Sequence, residues 1–96
     1  MSSESDFIPP PNTVLVKLTA AEAIERFGSN MVGWAVASKE YSFKSGVIIA
    51  VEPGRTGSDG PRPICWKDAV NGNEAWASLA WNMDLYVPVQ ALESRS

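Results

Sequence analysis

Residues 64–81 read ICWKDAVNGNEAWASLAW, and this stretch decides which class of fold the sequence predicts. Two runs rich in aromatic and aliphatic residues, 64–70 and 74–81, flank the dipeptide Asn71-Gly72. Asn-Gly is favoured in tight hairpin turns because both residues readily adopt positive φ. The pattern therefore predicts two antiparallel strands joined by a short turn.

Other runs of β-forming residues predict strands near residues 13–18 and 46–52 before this hairpin, and near 85–92 after it. Residues 82–84 predict a turn before the last strand. Pro88 cannot donate a backbone hydrogen bond, so we expect the last strand at an edge of the sheet. Five short strands with one short helix predict a mostly β protein, built as a small β-barrel or sandwich, and closing the sheet is the usual way to remove exposed edges.

One short helix is predicted over residues 20–27. Thr19 and Glu22 have the spacing of a capping box, in which each side chain accepts a hydrogen bond from the other residue's backbone N–H. Apolar residues recur at helical spacing through the segment. Gly28 suits the C-terminal end.

Length and proline content predict the domain organisation. A chain of 96 residues allows one domain. Residues 1–11 end in three consecutive prolines, which lack backbone donors and hold the chain extended, so they predict an N-terminal arm. Residues 12–96 are then expected to form the single β-barrel domain.

The charge and hydropathy of the chain narrow its expected partners. The formal net charge is −3 and the eight basic residues are scattered, which argues against a nucleic-acid partner. The polar, acidic N-terminus does not resemble a signal peptide. No apolar run approaches the roughly 20 residues of a membrane span. We expect neither nucleic acid nor membrane as partner, and a location in the cytoplasm or in an assembly built there.

The residues that usually carry catalysis are sparse. There is no histidine, which removes the commonest general base and metal ligand. Cys65 is the only cysteine and lies within a β pattern, where it is expected to be a small buried residue. Asp59, Asp68, Glu74 and Asp84 lie in or beside predicted turns, where acidic residues serve local hydrogen bonding. We therefore predict no catalytic residues, no metal and no cofactor, and a protein that is not an enzyme.

The apolar run over residues 31–36 is the strongest candidate for partner binding. Glycine and polar residues flank it, and Trp34 lies in its centre, a residue type that dominates binding hot spots. Gly33 would let the backbone turn sharply. The alternative is that this run is a sixth strand packed in the core. The predicted partner-binding loop consists of Met31, Val32, Gly33, Trp34, Ala35 and Val36.

The order of these segments resembles that of the GroES-like co-chaperonins from about residue 10 to residue 93. The resemblance rests on a proline-led strand with a Val-x-Val-Lys pattern, a glycine before an apolar tripeptide, a Gly-x-(Val/Ile)-x-Ala-Val strand before a Pro-Gly-Arg turn, and an aromatic-Lys-Asp strand followed by glycine and glutamate. In this chain these are residues 11–17, 33–36, 46–51 with 53–55, and 66–68 with Gly72 and Glu74.

The resemblance implies a small, partly open β-barrel subunit of a homo-oligomer, a heptamer in that family, that caps a chaperonin ring and assists protein folding. Each mobile apolar loop would bind weakly because binding orders it, and the several loops of the ring would together bind strongly. The first strand of one subunit would pair with the last strand of its neighbour. The interface residues implied by this pairing are Val14, Val16, Tyr86, Val87, Val89 and Leu92.

Two other functions based on protein–protein binding remain open from the sequence. One is a small virion or decoration protein, in which the arm and the tryptophans make assembly contacts. The other is an inhibitor that presents an apolar loop to a host enzyme.

Overall fold

A computed structural model of the protein describes residues 9–37 and 45–93. Residues 1–8 of the predicted arm, together with 38–44 and 94–96, lie outside the described residues. Antiparallel strands dominate the described chain, which confirms the predicted mostly β class. The elements are β1 (Thr13–Thr19), α1 (Ala20–Phe27), a 3₁₀ turn (Gly28–Met31), β2 (Ala35–Ala37), β3 (Ser45–Val51), β4 (Thr56–Gly57), β5 (Gly60–Pro61), β6 (Ile64–Asp68), β7 (Glu74–Ala77), β8 (Asn82–Pro88) and α2 (Val89–Glu93).

Six of the strands form one antiparallel sheet in the order β1-β8-β2-β3-β6-β7. Within the described residues β1 and β7 are its two edges and do not pair with each other, so the sheet is open and no closed barrel forms. β4 and β5 form a separate small hairpin. β2 is the sixth strand that the sequence left as an alternative for the run at 31–36, and it lies between β8 and β3.

One face of the sheet carries the core. Residues directly opposite on neighbouring strands share a face, so Val36, Leu85 and Val87 point to the same side as Ile48 and Ile64. All five are fully buried. The 3₁₀ turn and α1 contribute further members to the same cluster, namely Ala20, Ala23, Phe27 and Met31.

α1 begins and ends where the sequence predicts. The Thr19 hydroxyl accepts a hydrogen bond from the Glu22 N–H at 3.2 Å, and the Glu22 carboxylate accepts one from the Thr19 N–H at 3.0 Å. Both bonds of the capping box are therefore present. Gly28 follows the helix with a φ of +58°, a conformation that favours glycine. The prediction of a helix over residues 20–27 is confirmed.

The turn between β6 and β7 is longer than the predicted short turn at Asn71-Gly72. The Asp68 carboxylate accepts a hydrogen bond from the Val70 N–H at 2.7 Å, which bends the chain directly after Asp68. Gly72 has a φ of +78°, whereas Asn71 does not have a positive φ. The strands predicted over 64–70 and 74–81 consequently end at Asp68 and Ala77.

The last strand begins and ends earlier than predicted. Residues 82–84, predicted as a turn, pair with the end of β1, and the chain turns into α2 after Pro88. β8 is paired on both sides, so the expectation that it is an edge strand is wrong. The proline fits because β2 pairs with β8 only as far as Tyr86, two residues before Pro88.

Candidate binding surfaces

The six residues predicted as a partner-binding loop do not project as one loop. Val36 lies in β2, and both sides of that strand carry a neighbour. The expectation of a single apolar loop over 31–36 is therefore wrong, because half of it is core. Partner binding by the surface half stays a prediction. The buried residues are Met31, Ala35 and Val36, and those that reach the surface are Val32, Gly33 and Trp34.

A sharp turn at Gly33 sets the direction of Trp34. Gly33 has a φ of +95°, which confirms the expected role of glycine at this position. Its N–H donates to the carbonyl of Ile48 at 2.7 Å, and the Trp34 N–H donates to the carbonyl of Met31 at 2.9 Å. These bonds return the chain to the sheet, with Trp34 at the end of the helical layer.

Trp34 lines a surface groove between the end of α1 and the start of α2. Its ring meets the ring of Phe27 edge to face, with 5.1 Å between centroids. Arg26 lies over the other ring of this pair, 5.1 Å from the centroid of Phe27. The groove has a volume of about 740 Å³, and Pro88 and Gln90 also line it. We call it the Trp34 groove.

A second opening lies beside β7, over the stacked rings of Trp66 and Trp81. The two ring centroids are 5.9 Å apart. Asn71 and Asn73 lie at this cleft of about 390 Å³. Both tryptophans are buried members of the core cluster, at 9% and 5% exposure, so they serve folding first.

The β7 edge of the sheet is short and partly capped. Asp68 N–H bonds to the carbonyl of Asn73, and the alternation of an antiparallel ladder then turns the backbone groups of Glu74 and Trp76 outward. The outward carbonyl of Trp76 accepts a hydrogen bond from Arg62 at 2.7 Å. Glu74 therefore presents both of its outward backbone groups uncapped on this four-residue strand, and Trp76 presents its N–H.

Arg62 is held in its capping position by Asp59. Two hydrogen bonds of 2.9 Å join its guanidinium to the two carboxylate oxygens. The hydrogen bonds from Arg62, and then its charge, hold the pKa of Asp59 below its usual value. On the same edge, the Arg55 guanidinium covers the Trp76 ring at 3.9 Å from its centroid.

The β1 edge is longer and open. The N–H of Val89 bonds to the carbonyl of Asn12, so the even-numbered residues of β1 face β8 and the odd-numbered ones face outward. Glu22 occupies the outward N–H of Thr19. In the described chain no strand covers this edge. The remaining outward residues are Thr13, Leu15 and Lys17.

The residues predicted at a subunit interface lie on or next to the pairing of β1 with β8. Val87 is fully buried within the chain, whereas Val14 is 44% exposed. Tyr86 is half-buried on the opposite face of the sheet, and Val16 and Leu92 pack against the core. Val89 is half-buried at the start of α2. Because β1 and β2 of the same chain already occupy both sides of β8, the implied pairing of the first strand of one subunit with the last strand of its neighbour is wrong. Contact of these six residues with a second copy stays a prediction.

Cys65 is buried at 3% exposure, as the sequence predicts. Burial raises the pKa of its thiol, and the Glu74 carboxylate adds to this effect, so the thiol stays protonated at neutral pH. Asp59 pairs with Arg62 three residues on and Asp68 caps a turn, which confirms local roles for these two carboxylates. Asp84 lies within β8 and faces Lys17 of β1 at 3.9 Å, so its predicted place in a turn is wrong.

Within residues 9–37 and 45–93, no three metal-ligating side chains come together as a site. No helix in that part of the chain is long and apolar enough to cross a membrane.

Sequence reasoning missed both the Trp34 groove and the contrast between the two edges. The groove joins residues more than fifty positions apart, and no local pattern brings Phe27 next to Pro88. The edges follow from the strand order, which places the first strand beside the last. No protein-family model, curated protein or solved structure matches the chain.

Proposed function

We propose that the protein acts by binding another protein, and that the partner docks in the Trp34 groove. The observation that carries this proposal is a half-buried tryptophan, packed edge to face on Phe27, at the wall of an open groove. Rigid aromatic rings bury a large area at little cost in side-chain entropy, which is why they anchor protein interfaces. The groove is within the size range that holds a few side chains of a partner.

The rim of the groove indicates what the docking segment looks like. Asn30 and Gln90 are exposed and offer amide donors and acceptors, and Arg26 adds a positive charge. A segment with an apolar side chain for the Trp34–Phe27 wall and hydrogen-bonding neighbours for the rim fits this chemistry. An acidic neighbour would gain from Arg26.

A co-chaperonin-like role is the specific form of this proposal that the sequence resemblance supports. The partner would then be a chaperonin ring, and the surface half of the predicted loop, Val32 to Trp34, would make the contact. Each contact would be weak, and a homo-oligomer of this chain would bind through several contacts at once. The described residues support the binding surface, and the resemblance supports the identity of the partner.

The test compares two tryptophans that are both half-buried, Trp34 in the groove and Trp76 on β7. Trp34→Ala and Trp76→Ala should each lower the free energy of unfolding by about 1–3 kcal/mol, measured by urea denaturation. Peptides selected from a displayed library on the wild-type protein should bind Trp34→Ala at least tenfold more weakly, a loss of about 1.4 kcal/mol. Their affinity for Trp76→Ala should be unchanged.

The outcomes separate the general proposal from its specific form. Equal affinity of the selected peptides for wild type and Trp34→Ala would refute docking in the groove. Binding of the wild-type protein to a purified chaperonin ring, with and without nucleotide, tests the co-chaperonin role. No binding in either condition would refute that role and would leave the peptide result to decide the groove.

A further inference from the structure

The open edge of β1 is the strongest feature that the groove does not use. Thr13, Leu15 and Lys17 direct their backbone N–H and C=O groups away from β8. Val14 and Leu15 are 44% and 41% exposed, on opposite faces of the strand. A long, apolar, unpaired edge is a template for another strand. At the other edge, in contrast, Arg62 caps the carbonyl of Trp76.

The sequence of β1 indicates which strand fits this template. It reads Thr-Val-Leu-Val-Lys-Leu-Thr, and it is nearly symmetric about its central residue, Val16. An antiparallel copy centred on the same residue places Thr13 opposite Thr19, Val14 opposite Leu18, and Leu15 opposite Lys17. Every outward residue then meets an outward residue, as an antiparallel ladder requires.

Neighbouring registers are less favourable. Moving the centre to Lys17 would place two lysines directly opposite each other, a like-charge pair that destabilises a sheet. Moving the centre to Leu15 would place Pro11, which has no N–H, opposite Thr19. In the register centred on Val16 each Lys17 lies opposite an aliphatic side chain and stays 3.9 Å from its own Asp84.

We propose that two copies of this chain associate through β1, antiparallel and centred on Val16, so that the two six-stranded sheets become one continuous sheet. The two-fold axis passes between the two Val16 residues, perpendicular to the sheet. Because the same strand is used by both copies, the contact is closed and stops at a dimer. Leu15 of one copy and Lys17 of the other exchange two backbone hydrogen bonds, and the symmetry-related pair exchanges two more.

The first experiment removes one outward donor without touching the pairing of β1 with β8. Leu15→Pro deletes an outward N–H, and proline is tolerated on edge strands where that group faces solvent. Leu15→Ala is the matched control because it shortens the side chain and keeps the N–H. Sedimentation equilibrium should show a dimer for wild type and Leu15→Ala, and at least a tenfold weaker dimer for Leu15→Pro. Circular dichroism confirms that each variant is folded.

The second experiment tests the register and holds even if Leu15→Pro does not fold. Residues 16 of the two copies form a non-hydrogen-bonded pair with Cα atoms about 4.5 Å apart, which suits a disulfide. In a Cys65→Ala background, Val16→Cys should cross-link under oxidised glutathione. Val14→Cys should not, because its two copies lie about 13 Å apart along the strands. A wild-type monomer at high protein concentration, a dimer unaffected by Leu15→Pro, or equal cross-linking of both cysteine variants would overturn the proposal.

Discussion

The two edges of the sheet are built differently, although both belong to one six-stranded layer. β7 has four residues, and a side chain held by an ion pair caps one of its outward carbonyls. β1 has seven residues, and the backbone groups of Thr13, Leu15 and Lys17 face outward. Val14 and Leu15 of this strand also expose their apolar side chains. If the only requirement were to prevent strand pairing, we would expect capping groups on the longer edge, which presents more unpaired backbone groups. The difference therefore marks β1 as the edge that is free to pair.

The side chain that caps β7 belongs to a neighbouring segment and not to the strand itself. Asp59 lies in the turn of the small hairpin of β4 and β5, Arg62 directly follows that hairpin, and their ion pair points the guanidinium at Trp76. At β1 the only comparable contact among residues 9–37 and 45–93 comes from Glu22, whose carboxylate accepts the N–H of Thr19 at one end of the strand. Whether the outward backbone groups of an edge strand are capped thus depends on the side chains that the adjacent loop or helix places beside them.

The largest effect on folding stability is expected from removing a backbone N–H of β1 that faces β8, compared with removing one that faces outward. Val16→Pro removes a donor to β8 and leaves the carbonyl of Leu85 without its partner, which should lower the free energy of unfolding by about 2–4 kcal/mol. Leu15→Pro removes only an outward donor and should cost less than about 1 kcal/mol. Urea denaturation at low protein concentration compares the two. Equal losses would contradict the assignment of inward and outward residues.

A smaller loss of folding stability is expected at the β7 edge as pH falls. Because the pKa of Asp59 is lower in the folded protein than in the unfolded chain, its ion pair contributes stability above the unfolded pKa. That contribution is lost as pH falls through the lowered pKa. Urea denaturation over a series of acidic pH values should show this loss in wild type, and Asp59→Asn should lack it. The same acid dependence in both proteins would show that the pair does not stabilise the Arg62 cap.

Elements set by local pattern were predictable from the sequence, and elements set by long-range pairing were not. β1, α1 and β3 lie within one residue of their predicted bounds, because alternation and the Thr19–Glu22 capping box act over a few residues. β2 is only three residues long and is defined by its neighbours β8 and β3. Pro88 led to the wrong prediction of an edge strand. A proline requires only that no backbone N–H is needed at its position, and none is needed at Pro88 because the pairing with β2 ends before it.

The same distinction explains the candidate site. Trp34 could be singled out because tryptophan in a glycine-flanked run is rare and informative. Pro88, Gln90 and Ala91 could not be assigned to the groove, because they lie more than fifty positions from Trp34 along the chain. The burial of Met31 and Val36 follows from the pairing of β2, which a local apolar run does not reveal.

Amide hydrogen exchange followed by NMR at two protein concentrations tests the contrast between the edges most directly. The N–H groups of Val14 and Val16 should be protected at both concentrations, because they bond to β8. Those of Leu15 and Lys17 should exchange rapidly in dilute protein and become protected together in concentrated protein, while Glu74 on β7 should not change. Rapid exchange of Leu15 and Lys17 at both concentrations would contradict the account, because the β1 edge would then be open and unused.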